Sequence, residues 1–156
     1  MQTIIFGGTN DIAIAFVGFL PRDLWHFSSR CWSCFVQSLG YEPAEQVFDP
    51  AQNVNLQMCY HPAQPAVEII WPGPTSGPVN KLNQRNPAGI IYHLCYETND
   101  LAAALDQLAA AGLQPVCISP PTPALLFGGR KVSFYNVLGM GLVEILEPIN
   151  PIPGPV

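Results

Sequence analysis

Two stretches of the chain share one pattern of apolar positions, and a single carboxylate interrupts each of them. The sequence VEIIWP at 67–72 returns as VEILEP at 143–148, so that Glu68 and Glu144 lie 76 positions apart. Short apolar runs that end at a proline are typical of buried strands. A carboxylate inside such a strand is costly unless another group pairs with it. The pattern therefore predicts two buried strands and a partner for each carboxylate.

The first half of the chain, up to and including the first copy, predicts one helix among four strands. The apolar run IAIAFVGFL (12–20) indicates a buried strand that Pro21 ends. A helix is expected from Arg22 to about Leu39, because Gly40 suits the left-handed residue that often follows a helix. After a turn around Glu42 and Pro43, the pattern predicts an edge strand at EQVFDP (45–50), an alternating strand at VNLQMCYH (54–61), a turn at AQP (63–65) and a strand at AVEIIWP (66–72).

Prolines and glycines bound a linker at 73–89, with room for about two helical turns at VNKLNQR. A strand is then expected at 90–97, followed by an alanine-rich helix that Asn99 or Asp100 caps and Gly112 ends. The rest predicts a short strand at LQPVCIS (113–119), a loop at PPTPALLFGG (120–129), a strand at RKVSFYNV (130–137), a last strand at GLVEILEP (141–148) and a proline-rich tail at 149–156.

Both halves follow the order β-α-β-β-β at nearly constant spacing. The expected helix starts at Asp23 and Asp100 lie 77 positions apart, and the glycines that end the helices lie 72 positions apart. This internal repeat predicts an α+β fold in which two βαβββ modules, 12–72 and 90–148, build one domain.

The composition indicates a compact globular protein. Of 156 residues, 49% are hydrophobic and only 11% are charged, well below the usual quarter. The net charge of −5 and the absence of a basic cluster argue against nucleic acid as a partner. No apolar run reaches the length of a membrane span, and the N-terminus lacks the positive region of a signal peptide. We therefore expect a soluble cytoplasmic protein.

Five cysteines at irregular spacing suit reduced thiols better than a disulfide framework. Cys31 and Cys34 form a C-x-x-C pair, which we expect to lie inside a helix. That position favours packing over redox chemistry, although it leaves the redox role open.

His93 is the nearest candidate partner for the carboxylate of the second half, because it lies on the strand that we expect at 90–97. Histidine and glutamate from neighbouring strands suit a divalent cation through an imidazole nitrogen and a carboxylate oxygen. The alternatives are a core histidine satisfied by a hydrogen bond and a glutamate that points to water.

Two segments of the second half, YHLCYETNDLAAALDQLAAAGL (92–113) and FGGRKVSFYNVLGMGLVEILEP (127–148), resemble the vicinal oxygen chelate superfamily. This superfamily includes glyoxalase I, methylmalonyl-CoA epimerase and extradiol dioxygenases, and the epimerase-like branch is the most similar. FVQSLGY and VEIIWP of the first half resemble it more loosely. The resemblance implies that the modules form a curved mixed sheet around a shared cleft with one divalent metal ion (Co, Mn, Ni, Zn or Mg), and we expect a homodimer.

The resemblance also implies that the first and fourth strands of each module supply the metal ligands. His93, Glu144 and Glu68 match three of these positions. Counting seven residues back from the start of each helix aligns Phe16 with His93, and phenylalanine cannot bind a metal. The cation would then keep three protein ligands and a water, or recruit a nearby side chain such as Asp11 or His26.

Gln57 lies where the resembling epimerases carry a catalytic base, and an amide cannot abstract a proton at neutral pH. The resemblance therefore leaves Glu144 or Glu68 as the base, with Gln57 and Phe16 as substrate contacts. Four basic residues are expected beside the cleft, where they would meet a phosphate or carboxylate of a ligand or form a solvated rim: Lys81, Arg85, Arg130 and Lys131.

Two functions follow from this resemblance. The first is metal-assisted proton transfer next to the carbonyl of an acyl thioester or an α-hydroxycarbonyl compound. The second is a non-catalytic protein that binds or sequesters a small molecule, as resistance proteins of the same fold do. The three retained ligands favour the enzyme, whereas Phe16 and Gln57 favour the binding protein. A degenerate relative with a structural role is a third possibility.

Overall fold

The computed structural model describes residues 12–17 as backbone and residues 37–86 and 89–148 in full. These residues form nine strands, two α-helices, two further helical residues at 37–38 and one short 3₁₀ turn. The elements are β1 (Ile12–Val17), β2 (Glu42–Pro43), β3 (Val47–Asp49), β4 (Val54–His61), β5 (Gln64–Pro72), α1 (Pro78–Arg85), β6 (Ile90–Glu97), α2 (Leu101–Ala110), β7 (Val116–Pro123), the turn Leu125–Phe127, β8 (Lys131–Val137) and β9 (Gly141–Leu146). Neither α1 nor α2, the helices of the described part, has the length and apolarity that a membrane crossing needs.

The described chain divides into two compact units near Tyr92, and each contains a mixed arrangement of strands. In the first unit the strand order is β2-β4-β5-β1, with β3 also paired to β4. In the second unit the order is β6-β9-β8-β7. The first strand of each unit runs parallel to the last one, β1 to β5 and β6 to β9, and the other pairs are antiparallel. This architecture confirms the predicted α+β class and the repeated strand order.

The two carboxylates of the repeat occupy equivalent positions in their sheets. Each lies on the last strand of its unit, between the parallel first strand and the antiparallel neighbour. The strand partners of Glu68 are Ala15 and Met58, and those of Glu144 are Cys95 and Phe134.

Helix α2 packs against one face of the second sheet. Asp100 caps it, because its carboxylate accepts the backbone N–H of Ala103 at 3.0 Å. Gly112 follows the helix at φ +79, in the left-handed region that favours glycine. The core between helix and sheet is apolar and consists of Leu108, Tyr135, Val137, Val143 and Ile145.

The helix predicted at 22–39 lies mostly outside the described residues. Gln37 and Ser38 are helical, and the N–H of Gly40 donates to the carbonyl oxygen of Gln37 at 2.9 Å. Gly40 has φ +88, so the predicted residue after the helix has the left-handed geometry that was expected.

Several boundaries differ from the sequence prediction, and three of the differences involve proline. Glu42 and Pro43 form β2 against β4 rather than a free turn, and β5 already begins at Gln64. Strand β7 continues through Pro123 into the segment predicted as a loop. Because β7 pairs on one side only, with β8, prolines can occupy it without removing a hydrogen bond from a central ladder.

The predicted linker contains α1, which packs near β5 and buries Val79 and Asn83. Before it, Asn53 anchors the chain, since its amide nitrogen donates to the carbonyl oxygen of Thr75 at 2.6 Å. The N–H of Gly73 donates to the carbonyl oxygen of Asn53 at 2.8 Å. A Cβ atom at position 73 would lie 2.7 Å from that carbonyl oxygen and 2.5 Å from the side-chain oxygen of Asn53.

We expect Gly73→Ala to destabilise the fold by about 1 to 3 kcal/mol, because backbone atoms of Asn53 must move to admit the methyl group. Gly77→Ala is the matched control, since a Cβ there meets its nearest atom at an ordinary 3.4 Å. Urea unfolding of both variants measures the difference. Equal stability of the two variants would contradict the expected clash.

Arg130 ties three segments of the second unit together at one end of the sheet. Its Nη2 forms an ion pair with Oε1 of Glu97 at the end of β6. Its Nε donates to the carbonyl oxygen of Glu147, which follows β9, at 2.8 Å. The guanidinium that was predicted to contact a ligand is thus engaged within the protein.

We expect Arg130→Met to lower the free energy of unfolding by about 1 kcal/mol, because both partners are partly shielded from water. Lys131→Met at the neighbouring exposed position serves as the control and should change stability by much less. Thermal or urea unfolding provides the readout. A larger loss of unfolding free energy in the Lys131 variant would contradict a stabilising role for the contacts of Arg130.

Candidate metal centre

His93 and Glu144 meet across the parallel pair of strands in the second unit. Cys95 pairs with Glu144, and His93 precedes Cys95 by two residues, so all three belong to one face of the sheet. Nε2 of His93 lies 3.2 Å from Oε2 of Glu144. The residues are only 3% and 4% exposed, so the contact is shielded from bulk water.

Apolar side chains surround this pair. Phe134 is the antiparallel strand partner of Glu144, and its ring packs edge-on against the imidazole of His93, with ring centroids 5.3 Å apart. Leu146, on the same strand face as Glu144, is also buried. A charge in such surroundings is costly without a close partner of opposite charge or a cation. The contact between imidazole and carboxylate provides part of that compensation.

The separation of the two atoms suits joint binding of one cation. Nitrogen and oxygen ligands bind first-row metals at about 2.0 to 2.2 Å, which places two adjacent ligand atoms about 2.9 to 3.4 Å apart. The observed 3.2 Å between Nε2 and Oε2 falls in this range. It also suits a hydrogen bond with one tautomer or the protonated ring of His93. The pair can therefore hold a metal without a change in its spacing.

Glu68 is the buried carboxylate of the first unit, with 6% of its surface exposed. Its strand partners, Ala15 and Met58, carry no charge. Glu68, like His93 and Glu144, offers one ligand atom of a type that binds divalent cations.

The register identifies the first module's counterpart of His93. In the second unit, His93 stands two residues before the parallel strand partner of Glu144. In the first unit, the parallel strand partner of Glu68 is Ala15, so the residue two positions earlier is Ala13. The equivalent of the histidine is therefore an alanine, which has no ligand atom.

Counting along the sequence had aligned Phe16 with His93, and the register corrects that alignment. Phe16 pairs with Ile69, which makes it the counterpart of Tyr96, the partner of Ile145. Tyr96 packs against the core on the helix side of the second sheet, and burial raises the pKa of its hydroxyl. Sequence counting failed because Ala13 and His93 lie 80 positions apart, whereas the expected helix starts lie 77 apart.

Gln57 lies on the face of the first sheet that is opposite to Glu68. Met58 is the strand partner of Glu68, and Gln57 pairs with Ile69 instead. Its amide nitrogen donates to the carbonyl oxygen of Ala44 at 3.0 Å. Gln57 therefore hydrogen-bonds to the neighbouring backbone and lies on the sheet face that does not carry Glu68.

The remaining predicted site residues are distributed outside this pair. Arg85 at the end of α1 is exposed, as are Lys81 and Lys131. Asp11 and His26, the candidates for a recruited ligand, lie outside the described residues, as do Cys31 and Cys34.

The sequence reasoning missed two residues beside His93, namely Phe134 and Cys95. Cys95 is buried and is not part of a disulfide. Its spacing of two from His93 on one strand was a signal that could have identified it. Phe134 could not be found in this way, because only the pairing of β8 with β9 places it beside Glu144.

The sequence model of the glyoxalase/bleomycin resistance protein/dioxygenase superfamily matches residues 29–134. The ethylmalonyl-CoA/methylmalonyl-CoA epimerase of Cereibacter sphaeroides is 33% identical over 70 residues, which cover 45% of this chain and 51% of that protein. The mitochondrial methylmalonyl-CoA epimerase of Dictyostelium discoideum is 31% identical over 83 residues, which cover 52% of this chain and 48% of that protein. The matches thus span about half the length of these curated relatives.

Solved structures share the fold. The crystal structure of methylmalonyl-CoA epimerase from Mycobacterium tuberculosis superposes with a TM-score of 0.66 at 16% identity, covering 99% of this chain and 97% of that one. At this identity the likeness concerns the fold alone, and it agrees with the mixed sheets and few helices described above. Because the superfamily model matches more than half of the chain, this protein belongs to the glyoxalase/bleomycin resistance protein/dioxygenase superfamily.

Proposed function

We propose that this protein is a glyoxalase-like enzyme that moves a proton next to the carbonyl of an acyl thioester or an α-hydroxycarbonyl compound, with the help of a divalent metal ion. The observation that carries the proposal is the buried contact between His93 and Glu144, 3.2 Å apart on an otherwise apolar sheet face. An imidazole nitrogen and a carboxylate oxygen held together on an apolar sheet face are a combination that binds divalent cations, and such buried polar pairs are found more often at functional sites.

Glu68 is the proposed third ligand. It repeats the sheet position of Glu144 and is similarly buried. One nitrogen and two carboxylate oxygens suit Co, Mn, Ni, Zn or Mg, and the two carboxylates would balance the charge of a divalent ion.

The bound ion would supply a positive charge that stabilises the negative charge developing on the substrate carbonyl oxygen when the neighbouring carbon loses its proton. Glu144 or Glu68 would accept that proton through a carboxylate oxygen and return it to the same carbon. Inversion of the configuration requires that the other carboxylate, in its protonated form, deliver a proton to the opposite face of the planar carbon. One carboxylate then gains a proton and the other loses one, and exchange with solvent restores both. Phe134 and the apolar strand residues would exclude water that competes for the proton.

The epimerase names of the relatives support an acyl-CoA thioester as the substrate class. We further propose one glyoxalase-like domain that works as a cytoplasmic homodimer. Light scattering coupled to size-exclusion chromatography measures the oligomeric state directly, and a monomeric mass at micromolar concentration would contradict the homodimer.

One observation favours the alternative, a binding protein that sequesters a small molecule without chemistry. Ala13 occupies the register position that His93 has in the second module, and Gln57 is turned to the opposite face from Glu68, so neither residue adds a ligand or a base beside Glu68. The two experiments below separate an enzyme from such a binder.

We expect protein purified without chelator to contain about one divalent ion per chain. His93→Ala and Glu144→Ala should each weaken metal binding by at least about tenfold, because each removes one of few ligands. His61→Ala is the control. His61 lies at the end of β4, where its ring accepts the N–H of Ala63, and the variant should keep the metal. Elemental analysis and titration calorimetry provide the readouts. Absence of metal from correctly folded wild-type protein would refute the metal-assisted mechanism.

We expect the protein to catalyse exchange of the proton at the carbon next to the thioester carbonyl of methylmalonyl-CoA when the reaction is run in D₂O. Glu144→Gln should lower the exchange rate about 10²- to 10⁴-fold, because an amide can neither accept the proton nor replace a charged ligand. Glu45→Gln at an exposed position should leave the rate unchanged. Mass spectrometry of the recovered thioester measures deuterium uptake. Tight binding of the thioester without exchange would favour the sequestering protein.

A further inference from the structure

Phe134 contacts both members of the polar pair in the second unit. It lies on β8 directly opposite Glu144 on β9, so the two side chains share one face of the sheet. Its ring packs edge to face against the imidazole of His93, with ring centroids 5.3 Å apart and ring planes at 85°. Aromatic pairs at such distances and angles attract each other beyond the burial of their surface. The contact therefore holds the ring of Phe134 beside the pair.

Exposure on this face increases along the strands towards one end of the second sheet. On β8, Val132 is 5% exposed, Phe134 is half-buried and Asn136 is exposed. On β9, Glu144 is 4% exposed, whereas Leu142, the strand partner of Asn136, is half-buried. A small molecule therefore reaches the polar pair from the end that carries Asn136, and the ring of Phe134 borders this approach.

We propose that the ring of Phe134 limits the size of the alkyl group on the carbon next to the thioester carbonyl, so that residue 134 determines which acyl groups the centre accepts. The inference rests on the proposed function, because it concerns the substrate of the same centre. It assigns to Phe134 a direct contact with the substrate, in addition to the exclusion of water.

The reach of the side chains brings the alkyl group to this ring. Directly opposite residues of antiparallel strands have Cβ atoms about 4.5 to 5.5 Å apart. A carbon that gives its proton to Glu144 must come within about 3.5 Å of a carboxylate oxygen. Each further carbon of its substituent adds about 1.5 Å. A substituent of one to three carbons that extends towards β8 therefore meets the ring of Phe134.

The selection at this contact depends on size, because the ring and the alkyl group carry no charge. A methyl group can lie beside the ring while the ring keeps its contact with His93. A longer chain must displace the ring from the imidazole or tilt the reacting carbon away from Glu144. In apolar pockets, one methylene group changes the selectivity of an enzyme by about 10- to 200-fold.

The test uses methylmalonyl-CoA and propylmalonyl-CoA as probes with the full chain. Both thioesters compete in one reaction in D₂O, and mass spectrometry gives the ratio of their exchange rates. We expect wild-type protein to favour the methyl compound and Phe134→Leu to raise the relative rate of the propyl compound at least about tenfold. Phe134→Trp, which adds bulk, should change the ratio in the opposite direction. A general loss of activity or of metal cancels from the ratio, because both thioesters meet the same protein.

Phe48→Leu is the matched control, since it makes the same change at a phenylalanine of β3 that is 43% exposed. This variant should keep the wild-type ratio. Titration calorimetry measures the same selectivity without chemistry. The affinity for the propyl compound, relative to that for the methyl compound, should rise at least about tenfold in Phe134→Leu.

The outcomes separate this inference from the proposed function. If wild-type protein exchanges the proton of methylmalonyl-CoA and Phe134→Leu leaves the ratio unchanged, the inference fails while the proposed function stands. If wild-type protein binds both thioesters without exchange and Phe134→Leu shifts the ratio of dissociation constants, the enzyme is refuted and the role of Phe134 stands for a binding protein. Wild-type protein that neither binds nor exchanges either thioester refutes both.

The wild-type ratio alone keeps the inference testable if the variants at position 134 do not fold. A ring that limits the substituent requires a preference for the methyl compound. Exchange rates and dissociation constants that agree within about twofold for the two thioesters would overturn it.

Discussion

The pairing of β6 with β9 is the constraint on which the candidate centre depends. Parallel strands place equivalent side chains of remote segments beside each other, and here they bring an imidazole from residue 93 to a carboxylate from residue 144. Neither group is stable alone in an apolar sheet, because desolvation penalises the charged form of each. The contact at 3.2 Å lets the chain bury both, and a cation between them would complete the compensation.

The two faces of the second sheet carry different kinds of side chain: one face packs the apolar core, and the other carries the polar pair of the candidate centre. One face carries Tyr135, Val143 and Ile145, which pack against Leu108 of α2 and form the core. The other face carries His93, Glu144 and Phe134. Because successive residues of a strand point to opposite faces, a shift of the register by one position would exchange core and centre. The buried apolar face therefore holds the polar pair in place.

The sequence predicted much of this fold because local signals coincide with its elements. Strands β4 and β6 have the predicted bounds, since alternation or β-branched content extends along their whole length. Asp100 caps α2 as one of two expected residues, because the sequence places an acceptor directly before an alanine-rich run. The errors occur where pairing outweighs local preference, as in β7, where the ladder with β8 continues through residues that usually end a strand.

The candidate centre was predictable only in part, for the same reason. Glu68 and Glu144 could be identified from the sequence because each is a charged residue in an apolar run. The resemblance to a family added His93 to the predicted site. Which residue of the first module corresponds to His93 depends on which residues of β1 and β5 pair. Counting residues along the chain does not reveal this pairing when the connections of the two modules differ in length. Ala13 and Phe16 are only three positions apart in sequence. Phe16 nevertheless has the strand register of Tyr96, which packs against the core, whereas Ala13 has the strand register of His93. The strand register therefore leaves the first module with Glu68 as its one candidate ligand on this face, whereas the second module offers His93 and Glu144.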